Sequence, residues 1–170
     1  MTMPLYLNGN PVHLATPPLE MGALAPNFKL TSVTLQESTL ADFKTPYKII
    51  CTFPSVDTGT CATAFKTFSQ LISTLKHASL LCISKDLPFA FKRFCISENI
   101  ENITPLSAFN SPFAQDYGVE ISNAPLKGLC TRAVIILDKS NRVCYSQYVE
   151  EISNEPNYDS ITTFMATQLA

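Results

Sequence analysis

The residues best able to do chemistry in this chain are its six cysteines: Cys51, Cys61, Cys82, Cys95, Cys130 and Cys144. Cys61 has the most distinctive surroundings. It ends the stretch Phe53-Pro54-Ser55-Val56-Asp57-Thr58-Gly59-Thr60-Cys61. An apolar run, Tyr47 to Phe53, precedes it, and apolar residues at helical spacing (Phe65, Phe68, Leu71, Ile72, Leu75) follow. Cys61 therefore falls where a strand gives way to a helix. Unpaired backbone N–H groups and the positive end of the helix dipole converge at such a place. A cysteine in that field is favoured as the thiolate, its nucleophilic form. The competing reading is a small apolar side chain filling a gap, and position alone supports both equally.

The other cysteines divide by context. Cys51, Cys82 and Cys144 lie in apolar, strand-like runs and read as inert core residues. Cys95 and Cys130 lie, like Cys61, in helix-terminal or irregular contexts. No two cysteines have C-x-x-C spacing, so neither a thioredoxin-type dithiol nor a zinc ribbon is signalled. The even count tempts one towards a disulfide framework, but a chain long enough for a substantial core has no need of one.

Composition narrows the function classes. With 170 residues, 46% of them hydrophobic, the chain reads as one globular domain spanning 1–170. Net charge is −2 with no block of like charges, so neither a nucleic-acid footprint nor a polybasic membrane patch is expected. The first residues, Met1-Thr-Met-Pro-Leu-Tyr-Leu, lack the basic and apolar regions of a signal peptide, and no window has the apolar length of a membrane span. A cytoplasmic location is the expectation.

Several elements must position these residues. Two short β-type runs around Asn8-Gly9 predict a hairpin, since both residues accept positive φ; with its flanks it forms an N-terminal extension over 1–16. Strands are predicted at Phe28 to Thr31, Tyr47 to Phe53, Ser79 to Ser84, Ile103 to Phe109, Arg132 to Asp138 and Arg142 to Val149. One helical turn is predicted at Thr39 to Phe43. Helices are expected from about Thr60 to His77, after Asp86-Leu87-Pro88 as cap and start, from Ser111-Pro112 to about Tyr117, and from Asn157 to Leu169. Asn123 to Leu129 reads as loop. This order implies an α/β fold with a mixed central sheet and helices on both faces.

Pro54-Ser55-Val56-Asp57-Thr58-Gly59-Thr60-Cys61 carries the Pro-x-x-x-Thr-x-x-Cys pattern of the peroxiredoxins, and Arg132 opens a late strand, where that family keeps an active-site arginine. Asp86-Leu87-Pro88-Phe89-Ala90-Phe91-Lys92-Arg93-Phe94-Cys95 resembles the segment that carries the second cysteine in bacterial thiol peroxidases. Leu106-Ser107-Ala108-Phe109, Asp116-Tyr117-Gly118-Val119, Leu126-Lys127-Gly128-Leu129 and the N-terminal hairpin are similar to that subfamily too. The resemblance covers nearly the whole chain and implies a thioredoxin-like fold.

It also implies roles. Cys61 is then the peroxidatic cysteine, whose thiolate takes one oxygen of a hydroperoxide and becomes a sulfenic acid. Cys95 is the resolving cysteine of an intramolecular Cys61–Cys95 disulfide, with Lys92 and Arg93 close enough to favour its thiolate. Thr58 and Arg132 are catalytic and, with Pro54, substrate-binding. For each a plainer role exists: Thr58 as helix cap, Pro54 as strand breaker, Arg132 as a side chain reaching solvent over apolar surface. Cys130 departs from the pattern: it is either a third redox-active thiol or inert packing, and inert packing is the favoured reading. The resemblance implies hydrogen peroxide and organic hydroperoxides as substrates, thioredoxin as reductant and a homodimer; it requires no metal, haem or flavin. A disulfide needs Cα atoms within roughly 7 Å, so local unwinding around both cysteines is expected before the bond forms. Two alternatives use the same residues: a non-enzymatic peroxide-sensing switch with the same disulfide, and a cysteine-liganded metal protein, for which the spacing gives little support.

Overall fold

A computed structural model describes residues 3–168. Its strands are β1 (Leu5–Leu7), β2 (Asn10–Val12), β3 (Lys29–Ser32), β4 (Glu37–Thr39), β5 (Tyr47–Thr52), β6 (Ala78–Ser84), β7 (Thr104–Ser107), β8 (Ala133–Leu137) and β9 (Val143–Tyr148). Its helices are α1 (Gly59–Ile72), α2 (Pro88–Ser97), α3 (Phe113–Asp116) and α4 (Tyr158–Gln168), with a single 3₁₀ turn at Leu40–Asp42. Met1 and Thr2 of the predicted N-terminal extension, and Leu169 at the end of the predicted last helix, lie outside the described residues.

Seven strands form one mixed sheet in the order β4-β3-β7-β6-β5-β8-β9. The centre is parallel (β5 with β6, β6 with β7), and β8 closes against β5 antiparallel. β1 and β2 pair separately through Asn8 and Gly9, whose φ values of 51° and 81° are those of the predicted turn. The architecture is thioredoxin-like, as the sequence implied.

Alternation along the central strands sends side chains to two cores. Ile49, Cys51, Leu80, Cys82, Val134 and Ile136 face one layer, where Phe65 and Phe68 of α1, Phe91 and Phe94 of α2, and Ile161 and Met165 of α4 cover them. Ile50, Leu81, Ile83, Ile135 and Leu137 face the other, covered by Phe113 and Tyr117 at α3 and by Phe28 and Leu40. Every central strand is thus buried on both faces, which explains its unbroken apolar sequence. Gly118 closes the second layer: its φ is +67°, and a Cβ there would lie 2.2 Å from the Pro17 carbonyl oxygen.

Two local expectations need correction, and one strand was not foreseen. α1 stops at Ile72, not near His77. The Ser73 and Thr74 hydroxyls donate to the carbonyls of Gln70 and Leu71, at 2.6 and 2.7 Å, and so compete with continuation of the helix. β4 was not foreseen; it is a polar edge triplet without apolar alternation, held by pairing with β3. Asp86 does not cap α2. Leu87 holds the cap position with Pro88 behind it, and the Asp86 carboxylate is used elsewhere.

Candidate active site

β5 ends at Thr52, Phe53 and Pro54 follow as buried residues, and the chain loops through Ser55 to Thr58 into α1. Cys61 is the third residue of that helix. The first bond into the helix runs from the Ala62 N–H to the Thr58 carbonyl, 3.2 Å. The N–H groups of Gly59, Thr60 and Cys61 therefore have no carbonyl one turn back and form the positive end of α1. The Cys61 side chain is wholly buried.

Arg132 immediately precedes β8, the strand that pairs directly with β5, and only 2% of its surface is exposed. Its Nε donates to the Ile152 carbonyl at 2.9 Å, and its Nη2 donates to the Cys61 Sγ at 3.2 Å. The three ion pairs among the described residues do not include it. A buried guanidinium without a carboxylate is costly, and the Cys61 sulfur is the group placed to carry the opposing charge. The side chain does not snorkel to solvent.

Thr58 occupies the cap position of α1, but its side chain does not cap. Its Oγ1 donates to the Ser55 carbonyl at 3.1 Å, which leaves the hydroxyl oxygen free to accept. The Thr58 hydroxyl makes no hydrogen bond to the Cys61 sulfur. Ser55 is itself anchored: its Oγ donates to Asp86 Oδ1 at 2.7 Å, and the Val56 N–H donates to Asp86 Oδ2 at 2.9 Å. Ser84 Oγ also donates to Asp86 Oδ2, at 2.5 Å. Asp86 thus pins the loop that carries Thr58, a role hidden in the sequence because Asp-Leu-Pro reads as a helix start.

Cys95 lies near the end of α2, half-buried, on the same face of the sheet as Cys61. Burial pushes its thiol up from its ordinary value. The expected help from Lys92 and Arg93 is not found. Arg93 turns to Asp57, Nη2 to Oδ1 2.8 Å, and Lys92 is exposed. All six cysteines are free thiols. Cys130 packs in the core of the opposite face, and burial pushes it to about 12. Among the described residues no three His, Cys, Asp or Glu side chains cluster as metal ligands, and no helix is long and apolar enough to cross a membrane.

A buried cysteine at a helix start, held by a buried arginine at the end of a thioredoxin-like sheet, defines a thiol-based redox site. The redoxin family model matches residues 20–161. A thiol peroxidase of Corynebacterium glutamicum is 46% identical over 141 residues, covering 83% of this chain and 86% of that relative. The crystal structure of a peroxiredoxin-like protein from Aquifex aeolicus superposes with a TM-score of 0.92 at 40% identity, over 98% of each chain. A thiol peroxidase from Chromobacterium violaceum has the same fold, with a TM-score of 0.92 at 23% identity over 99% of each chain. The chain belongs to the redoxin family and, within it, to the thiol peroxidases.

Proposed function

We propose that the chain reduces hydrogen peroxide and organic hydroperoxides through a sulfenic acid on Cys61 and an intramolecular Cys61–Cys95 disulfide that thioredoxin reduces. The observation that carries this reading is the 3.2 Å contact between Arg132 Nη2 and Cys61 Sγ. The Cys61 thiolate attacks one oxygen of ROOH. An S–O bond forms, the O–O bond breaks, and the departing RO⁻ takes a proton to leave as ROH. The nucleophilicity of a thiolate does not by itself account for a fast step. The rate depends on donors directed at the charge that develops on the leaving oxygen. Arg132 and the helix-end N–H groups supply them, Thr58 accepts from the peroxide proton, and Pro54 walls the site against water.

In the second half-reaction the Cys95 sulfur attacks the Cys61 sulfenic sulfur, hydroxide leaves and is protonated to water, and the disulfide forms. A dithiol reductant then exchanges with that disulfide and is itself oxidised. The whole chain, 1–170, serves as one catalytic domain with the hairpin as an extension. It works as a homodimer in the cytoplasm.

The reading is tested by a non-reducing peptide map after one equivalent of an organic hydroperoxide. A Cys61–Cys95 bridge is the expected product. A bridge from Cys61 to Cys130 would overturn the assignment of Cys95. Turnover with thioredoxin separates the enzyme from a peroxide-sensing switch: Cys61→Ser should abolish it, and a single stoichiometric oxidation of the native protein would favour the switch.

A further inference from the structure

The loop that follows β9 touches three parts of the molecule at once. On one side it meets the hairpin: the Tyr6 N–H donates to the Glu150 carbonyl at 2.7 Å, and the Ile152 N–H donates to the Tyr6 carbonyl at 2.8 Å. The Ile152 side chain is buried with Leu5 and Val12 of the hairpin. On the other side, the Ile152 carbonyl accepts from Arg132 Nε at 2.9 Å. One residue later, the Ser153 carbonyl accepts from Thr60 Oγ1 at 2.9 Å, beside Cys61 in the first turn of α1. Ile152 therefore has its N–H fixed by the hairpin and its C=O fixed on the arginine.

Glu151 closes this arrangement. Its Oε1 accepts from the Asn8 N–H at 2.8 Å and from the Ser153 N–H and Oγ at 3.3 and 2.8 Å. Its Oε2 accepts from the Gly9 N–H at 3.0 Å. Asn8 and Gly9 both have positive φ, so their successive N–H groups converge into a cup suited to an anion. The Ser153 hydroxyl first, and then the hairpin N–H groups, hold the Glu151 carboxyl down at about 2, so it stays ionised at ordinary pH.

We propose that Glu151 is a positioning residue for Arg132: by tying the hairpin turn to the loop, its carboxylate fixes the Ile152 carbonyl that orients the guanidinium towards Cys61. The proposal rests on the reading that Cys61 and Arg132 form the peroxide site. It gives the N-terminal hairpin a catalytic purpose although the hairpin contributes no side chain to the reaction. Glu151 acts only through Arg132, so its effect must disappear when the arginine is gone.

The test is a double-mutant cycle on the full chain with Glu151→Ala, Arg132→Gln and the double variant. The readout is the single-turnover rate of Cys61 oxidation by a hydroperoxide, beside kcat/KM for thioredoxin. Glu151→Ala should slow the peroxide step roughly ten- to a hundredfold, as misplacement by about an ångström does, and leave kcat/KM for thioredoxin unchanged. In the Arg132→Gln background it should have no further effect. Glu151→Gln, which keeps one acceptor oxygen, should give an intermediate rate, and it carries the cycle if the alanine variant does not fold. Additive effects, or equal losses in both half-reactions, overturn the proposal. A slow Arg132→Gln enzyme beside a normal Glu151→Ala enzyme overturns it and leaves the peroxide site standing. An Arg132→Gln enzyme with the native rate removes both.

Discussion

Asp57 and Arg93 meet at 2.8 Å, and their ion pair joins the loop that leads to Cys61 to the helix that carries Cys95. In the proposed cycle these are the two segments that must part for the Cys61–Cys95 disulfide to form. Both side chains are about two-thirds exposed, at 66% and 65%, and exposed pairs contribute at most about 1 kcal/mol. Arg93→Ala should therefore speed single-turnover disulfide formation by no more than about fivefold. Raising the salt concentration should speed the native protein in the same direction. Stopped-flow measurement at two ionic strengths checks both, and a slower variant would show that the pair guides the encounter and does not restrain it.

Asp86 stands behind the loop that leads into α1 and Cys61. Its substitution by alanine leaves the Ser55 and Ser84 hydroxyls and the Val56 N–H without their acceptor. Stranding part-buried donors costs about 1–3 kcal/mol. Because the Ser55 carbonyl receives both the hydroxyl and the N–H of Thr58, the peroxide step should slow as well. Asp86→Asn keeps one acceptor oxygen and should fall between. Chemical denaturation and single-turnover peroxide kinetics on the two variants test this; a native rate in a destabilised Asp86→Ala protein would confine the residue to a structural role.

The central strands and the place of Cys61 were legible because both follow from local patterns. Two-sided burial writes itself as apolar runs such as Ile49-Ile50-Cys51, and a strand-to-helix junction as a proline-bearing loop before helical spacing. Arg132 was legible only through the family resemblance; its own sequence context favoured a side chain reaching solvent over apolar surface. What was not legible is long-range polar anchoring. Glu151 and Asn8 are 143 positions apart and Asp57 and Arg93 are 36 apart, and neither pair leaves a periodic signature. Asp86 misled for a physical reason: aspartate before Leu-Pro has the form of a helix cap, and here the tertiary contacts with Ser55, Val56 and Ser84 take the carboxylate instead.

The buried thiols predict how stability changes with pH. Burial pushes Cys51 and Cys130 to about 12, and Cys82 well above its ordinary 9.0. In the unfolded chain all three ionise near 9.0. Between that value and the folded one, the unfolded state therefore holds fewer protons than the native state. The sign follows: this stabilisation is complete below about pH 9 and is lost as pH rises, by about 1.4 kcal/mol per unit for each thiol. Urea unfolding under reducing conditions at pH 8, 9 and 10 measures the slope. Cys130→Ala should remove one thiol's share of it, and an unchanged slope in that variant would mean that Cys130 titrates alike in both states.

The last prediction concerns the aromatic layer between the two cysteine-bearing helices. Phe65 of α1 lies 5.1 Å from Phe94 and 6.3 Å from Phe91 of α2, centroid to centroid, and Phe53 packs on Phe65 at 4.7 Å. Cys61 is wholly buried in the same cluster, so opening either helix end disturbs these contacts. The disulfide form should then lose hydrogen-exchange protection in the first turns of α1 and the last turn of α2, while β5, β6 and β8 keep theirs. Phe94→Ala should lower stability by about 3–5 kcal/mol and yet speed disulfide formation, because native packing is what holds the two segments closed. A variant both less stable and slower to form the bond would place Phe94 on the productive path, steering Cys95 towards Cys61 once the helices have opened.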